Sequence, residues 1–321
     1  MNALILLTLL NIPRVSRKTV NYILKVTDSI DLNEDNIIKV FMKAKDSNKK
    51  INIPTKEQIR EAKNKAENII TESKNEGINI ITVLDEDFPD KLKDINDPPV
   101  LLYYKGNKEC LNEEKSVAII GTRMPTNKGI EIADKLGTFF AKEGFVVVSG
   151  LAKGCDELGH KGCVKVNGKS IAVLPCGLDT IYPASNKNLA KEIIENDGCL
   201  LSEYPIKTKS FKNYYVERDR LQSGLSQAVI VVETNLSGGT MHTVGFAEEQ
   251  NRIIACYKHS AEYLQDEQTK GNQLLLKDGR AIGIYSKNEI INLKDQILKR
   301  IDTSDKKIEN NKETIIQTSM F

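Results

Sequence analysis

The rhythm of apolar and polar positions changes twice along the chain. Up to about residue 75, apolar residues fall at helical spacing among Lys, Asn and Glu. Residues 1–10 form an apolar run that ends at Asn11-Ile12-Pro13. With no basic residues ahead of it, this run reads as a packed helix and not as a secretory leader. Residues 6–20 have the outline of two helices joined by a short hairpin, with Arg14-Val15-Ser16 at the bend. A helix-hairpin-helix DNA module places glycine there, so a small packing domain is the simpler reading. Residues 46–54 read as a loop. From Ile80 onward the pattern becomes short, continuous apolar runs. Residues 80–84 and 98–104 read as strands. Strands then follow at 117–120, 145–148, 171–174, 199–201, 228–232 and 252–257, with a helix over 128–142. Continuous apolar strands alternating with amphipathic helices predict an α/β fold, a Rossmann-like, mostly parallel sheet with helices on both faces. The expected organisation is a small helical domain of SAM or helix-hairpin-helix type over 1–75, a core over 76–300 and a polar, flexible tail over 301–321.

Composition narrows the function. Among 321 residues the net charge is only +2, so any nucleic-acid binding must come from a local patch. Trp is absent, which leaves Tyr, Phe and Arg to stack on bases. No apolar run reaches the roughly 18 residues a membrane helix needs. The six cysteines, at 110, 155, 163, 176, 199 and 256, form no C-x-x-C pair, which fits a reduced, cytoplasmic setting. Cys155, His160 and Cys163 match no standard zinc spacing and read as residues packing a helix on the sheet, so no metal and no cofactor is expected.

The chemistry lies in the loops that follow the strands. In an open parallel sheet, ligands bind at the carboxyl ends of the strands. Gly121-Thr122-Arg123, Ser149-Gly150 with Lys153-Gly154, and Ser237-Gly238 with Thr240 and Thr243 all stand there. Glycine lets backbone amides approach a phosphate, and the next helix N-terminus adds partial positive charge. Arg123 and Lys153 add full charges. Tyr182-Pro183 with Asn186, and the run FKNYYVERDR at 211–220, supply aromatics among bases, which is the composition of single-strand binding sites.

At these residues the chain resembles the DprA/Smf family. The family's ordered motifs stand here as Gly121-Thr122-Arg123, then the run from Ser149 to Asp156 with His160. Gly177, Tyr182-Pro183, Asn186 and Ser202-Glu203 follow. Arg218-Asp219-Arg220 with Gly224-Leu225-Ser226 comes next, then Glu233, Ser237-Gly238 and Thr243, and finally the run from Gly271 to Leu275. The likeness covers about residues 80–285. It implies a Rossmann-like protein that binds single-stranded DNA, forms homodimers and loads a RecA-type recombinase during natural transformation, without catalysis. By position it makes Arg123, Lys153, Arg218 and Arg220 DNA contacts. Gly121, Ser149, Gly150, Gly154, Ser237 and Gly238 would shape the loops. Where the family's usual motif reads R-N-R, this chain has an acid, Asp219.

Two other classes fit the same loops. A related fold family cleaves nucleoside monophosphates with a P-G-G-x-G-T-x-x-E signature, and the matching stretch here, SGGTMHTVGFAE, lacks its Pro and its second G-T step. A nucleotide sensor would need the same amides. Separately, Gln317-Thr318-Ser319-Met320-Phe321 resembles the Q-x-x-(L/M)-F peptide that docks on the bacterial replication sliding clamp, with Gln317, Met320 and Phe321 as the anchors.

Overall fold

The computed structural model describes residues 1–27 and 30–318, with side chains through Thr303. The amino-terminal segment is four helices: α1 (Asn2–Asn11), α2 (Arg17–Val26), α3 (Glu34–Ser47) and α4 (Lys56–Asn75). Their starts follow from local chemistry. The Ser16 side chain accepts from the Thr19 amide, Asn33 accepts from Asp35 and Asn36, and Thr55 and Gln58 form a reciprocal capping box. At the α1–α2 hairpin Arg14 adopts φ 67, the left-handed conformation that glycine takes at lower cost. Helix α1 buries Leu6, Leu7 and Leu9 among Val20, Ile23, Phe41 and Ile59. That apolar cluster continues without a break into Val100, Tyr103, Leu174 and Leu200 of the sheet region, so the helices are bonded to the core by burial. Arg17 adds a polar tie. It pairs with Asp97, with Glu203 at 3.1 Å and with Glu217 at 2.7 Å.

The rest of the chain runs β1 (Asn79–Thr82), α5 (Asp90–Lys93), β2 (Leu101–Gly106), β3 (Ser116–Ile120), α6 (Asn127–Lys142), β4 (Val146–Ser149) and α7 (Cys155–Val164). It continues through β5 (Ser170–Leu174), α8 (Lys187–Glu195), β6 (Cys199–Ser202), α9 (Lys212–Gly224), β7 (Ala228–Val231), α10 (Thr240–Glu249) and β8 (Ile253–Tyr257). It ends with α11 (Lys270–Lys277), β9 (Ile282–Ile284) and α12 (Lys287–Thr318). Among the described residues, nine strands make one sheet in the order β1-β2-β6-β5-β4-β3-β7-β8-β9. β1 and β2 are antiparallel, and every pair from β6 to β9 is parallel. Every residue of β3 through β7 is buried, because helices cover both faces. On one face Leu136 and Phe140 of α6 and Leu293 and Ile297 of α12 pack on Val117, Ile119 and Val147. On the other, Leu221 of α9, Val244 of α10 and Leu275 of α11 pack on Val148, Val229 and Val231. This is the α/β fold that the pattern predicts.

Helix α12 runs on through residues 301–318, the stretch that the sequence pattern reads as a polar, flexible tail. Its 32 residues hold no Gly or Pro, the two residues most costly to a helix interior. Gln317 lies on this helix, while Met320 and Phe321 fall outside the described residues. Among the described residues no helix is long and apolar enough to cross a membrane.

Candidate functional site

Strand β3 has β4 on one side and β7 on the other, so the chain reverses its direction of travel across the sheet there. Loops that leave neighbouring strands in opposite directions open a crevice at such a point. A cavity of about 300 Å³ fills it, lined by the loops after β3, β4 and β7 and by one face of α9.

The loop after β3 is held from below. The Thr122 amide donates to the Glu233 carbonyl at 2.7 Å, and the Cys155 amide donates to the Thr122 carbonyl at 3.1 Å. A Cβ on Gly121 would stand 2.6 Å from Cys155 Sγ and 2.8 Å from the Glu233 carbonyl, so only glycine fits. The Glu233 carboxylate is fully buried and accepts from the Thr126 amide at 2.8 Å and the Thr126 hydroxyl at 2.6 Å, which fixes the start of α6. The loop after β4 is braced the same way. The Ser149 hydroxyl donates to the Ile119 carbonyl at 2.6 Å, and Asn186 Nδ2 donates to the Leu151 carbonyl at 2.9 Å.

The floor of the cavity is ionic. Arg218, Asp156 and Asp219 are all nearly buried, at 5%, 6% and 8% exposure. Arg218 donates from Nη1 to the Val173 carbonyl at 3.1 Å, and its Nε lies 3.3 Å from Asp219 Oδ1. Asp156 Oδ2 accepts from the Gly150 amide at 3.1 Å. Gln222 Nε2 donates to Asp219 Oδ1 at 2.8 Å, which leaves Gln222 Oε1 buried without a partner. Burial pushes the Asp219 carboxyl up to about 7, partly offset by Arg218. Burial raises Asp156 as well, against the same arginine. Two acids around one guanidinium make the floor a poor seat for a phosphate. The exposed cations, Arg123 and Lys153, stand on the rim instead.

The rim has the matching chemistry. Arg123 is exposed and its guanidinium lies 5.3 Å over the Tyr215 ring. Tyr182, 48% exposed, meets Tyr215 edge-on at 6.3 Å. Lys153 joins Arg123, Tyr182 and Tyr215 around an adjoining hollow of about 270 Å³. Neither Arg123 nor Lys153 makes an ion pair among the described residues. Opposite them, Gly238, Gly239 and Thr240 present the first turn of α10, which has no side-chain cap.

The candidates from sequence therefore divide. Gly121, Thr122, Arg123, Gly150, Lys153, Tyr182, Arg218, Gly238, Thr240 and Thr243 line the cavity or its neighbour. Ser149 and Asn186 are buried braces, Gly154 turns at φ 82 beneath the Thr122 carbonyl, and Ser237 is exposed outside the lining. Arg220 points elsewhere. Two residues along a helix is a turn of about 200°, so Arg218 and Arg220 cannot face one pocket. Arg220 is 3% exposed and donates to the Asp97 carbonyl, the Glu217 carbonyl and the Glu203 carboxylate. Gln222, Thr234 and Asn235 were not legible as lining residues, although Gln222 stands four after Arg218 and shares its helix face. Cys155 packs against Gly121, His160 Nδ1 pairs with the Ser170 hydroxyl at 2.6 Å, and Cys163 Sγ donates to the Lys169 carbonyl at 3.2 Å.

Asp219→Asn should change the pH profile of stability. The folded carboxyl titrates near 7 and the unfolded one near 3.8, so the folded chain binds the extra proton between those values and stability falls as pH rises through that window. Relative to the parent, the variant should gain on the order of 2 kcal/mol between pH 5 and pH 8. Urea unfolding at both pH values measures this, and equal gains at both would refute the burial of an ionisable group at this position.

The family model described as DNA recombination-mediator protein A matches residues 79–295. The Smf protein of Synechocystis is 37% identical over 210 residues, which take in 64% of this chain and 52% of that protein. The chain thus spans about half the length of that relative. The X-ray structure of DNA processing protein A from Streptococcus pneumoniae superposes with a TM-score of 0.69 at 26% identity, over 91% of this chain and 93% of that one. The Helicobacter pylori DNA processing protein A, whose structural study concerns its mode of binding single-stranded DNA, gives a TM-score of 0.61 at 31% identity, over 70% of this chain and 96% of that one. A motif set in fixed order, a site at the switch point and a family match over most of the core agree: the chain belongs to the DNA recombination-mediator protein A family.

Proposed function

We propose that this chain binds single-stranded DNA along the rim of the switch-point cavity and passes the strand to a RecA-type recombinase during DNA processing and natural transformation. The observation that supports this most is the unpaired Arg123 stacked on Tyr215 beside Tyr182 and Lys153. Bases stack on the aromatics, and phosphates lie on the cations and against the glycine-rich start of α10, which no side chain caps. The Helicobacter relative is described as binding single-stranded DNA, which fits the same use of this face. The role is mediation without turnover, in the cytoplasm, with two copies of the chain presenting two rims. The carboxyl-terminal Gln317, Met320 and Phe321 would dock on the replication sliding clamp, and an isolated peptide of this sequence with no affinity for the clamp removes that part.

A thermal-shift comparison separates this function from nucleotide sensing or hydrolysis. An oligothymidine should raise the melting temperature, while deoxynucleoside monophosphates at equal nucleotide concentration should not. Stabilisation by the mononucleotide alone would assign the cavity to a free nucleotide.

A further inference from the structure

The first turn of α9 carries two aromatic groups that point in different directions. Tyr215 belongs to the rim with Arg123 and Tyr182. Tyr214, one position earlier and about 100° around the helix, stacks instead on Tyr204, with 4.0 Å between centroids and 20° between planes. Phe211 meets Tyr214 edge-on at 5.3 Å and is 57% exposed. The stacked tyrosine pair is thus a half-buried base that supports an outward-facing phenyl ring.

The surroundings of that ring are cationic. Lys209 and Lys212 flank it in sequence, both are exposed, and neither makes an ion pair among the described residues. Lys207, by contrast, is engaged by Glu72 at 2.6 Å. Phe211 is also the residue before α9, no side chain caps the helix start, and of the first-turn amides that of Tyr214 donates to the Phe211 carbonyl at 2.9 Å. A solitary exposed apolar ring needs no explanation. One held on an aromatic base, between two free lysines and at a helix start without a side-chain cap, repeats the composition of the rim. The two sets are continuous, since the Tyr215 hydroxyl lies 3.3 Å from Ser210 Oγ, next to Phe211.

We propose that Phe211, with Lys209 and Lys212, is a second stacking subsite for the same DNA strand, extending its path from the cavity rim around the start of α9. The inference rests on the single-strand reading of the rim. The subsite adds affinity only for strands long enough to reach it. A base lies on Phe211, and the flanking phosphates lie on the two lysines.

Fluorescence anisotropy on the full chain tests it with oligothymidines of about 4 and about 16 nucleotides, the range over which single-strand sites fill. Phe211→Ala should weaken the longer strand about 5- to 50-fold and leave the shorter within about twofold, and Phe211→Tyr should restore the longer. The double variant Lys209→Ala/Lys212→Ala should flatten the salt dependence for the longer strand alone. Unchanged affinity of Phe211→Ala for the longer strand overturns the subsite, and so does an equal loss at both lengths, which would place Phe211 in the rim site itself. Failure of the parent chain to bind either length overturns the single-strand reading and the subsite with it.

Discussion

Arg218→Ala is expected to lower the free energy of unfolding by about 3–5 kcal/mol near neutral pH, the usual consequence of removing one partner from a buried ionic group. Asp156 and Asp219 would lose the guanidinium that faces them in the cavity floor, and the Val173 carbonyl would lose its donor. The deficit should depend on pH. Burial already raises both carboxyls, and without the guanidinium they rise further. The folded variant then holds protons that the unfolded chain releases, so its stability falls more steeply as pH climbs from about 4. Urea unfolding should show a larger deficit at pH 8 than at pH 5. A loss under about 1 kcal/mol, equal at both pH values, would mean that the three groups are not coupled. Gly150→Ala is a second route to the same disturbance, since its Cβ would fall 1.3 Å from Arg218 Nη1.

Arg123→Ala is expected to weaken single-strand binding about 10- to 100-fold while leaving stability within about 0.5 kcal/mol. Its side chain is exposed, has no ion pair among the described residues, and touches the protein mainly through the Tyr215 ring. Removing it takes away the cation over the Tyr215 ring and, on the proposed function, a phosphate contact. Lys153→Ala should act more mildly and lower the salt slope by about one. Arg220→Ala supplies the contrast. That residue is committed to Glu203 and two carbonyls behind the pocket, so its loss should reduce stability and affect DNA only through α9. If Arg220→Ala cost affinity without stability while Arg123→Ala cost neither, the rim would be misassigned.

The sheet was legible because its strands are continuous apolar runs between glycine-bearing turns. β3 reads Ser116–Ile120 against an expected 117–120, and β8 reads Ile253–Tyr257 against 252–257. β9 was not, since three residues, Ile282–Ile284, leave no period to detect. The helical continuation of α12 was hidden by polarity, because a solvated helix and an unstructured tail share a composition of Lys, Glu and Asn. At the site, the glycine loops announced themselves by spacing. The division of labour between Arg218 and Arg220 did not, because a motif written as letters hides the 200° between them. Nor could the pattern show that Glu233 spends its carboxylate on Thr126, or that the cavity floor holds two acids, since both follow from contacts between residues about 60 to 110 positions apart.

The most direct measurement is fluorescence anisotropy of the purified chain with a labelled single-stranded oligonucleotide, at two salt concentrations and against duplex competitor. The expected result is tight binding that duplex displaces poorly and that falls with salt at a log–log slope steeper than about −1, as two or more neutralised phosphates require. Binding that ignores salt, or that duplex DNA competes away at equal concentration, would contradict a single-strand site built from Arg123, Lys153 and the Tyr182–Tyr215 face.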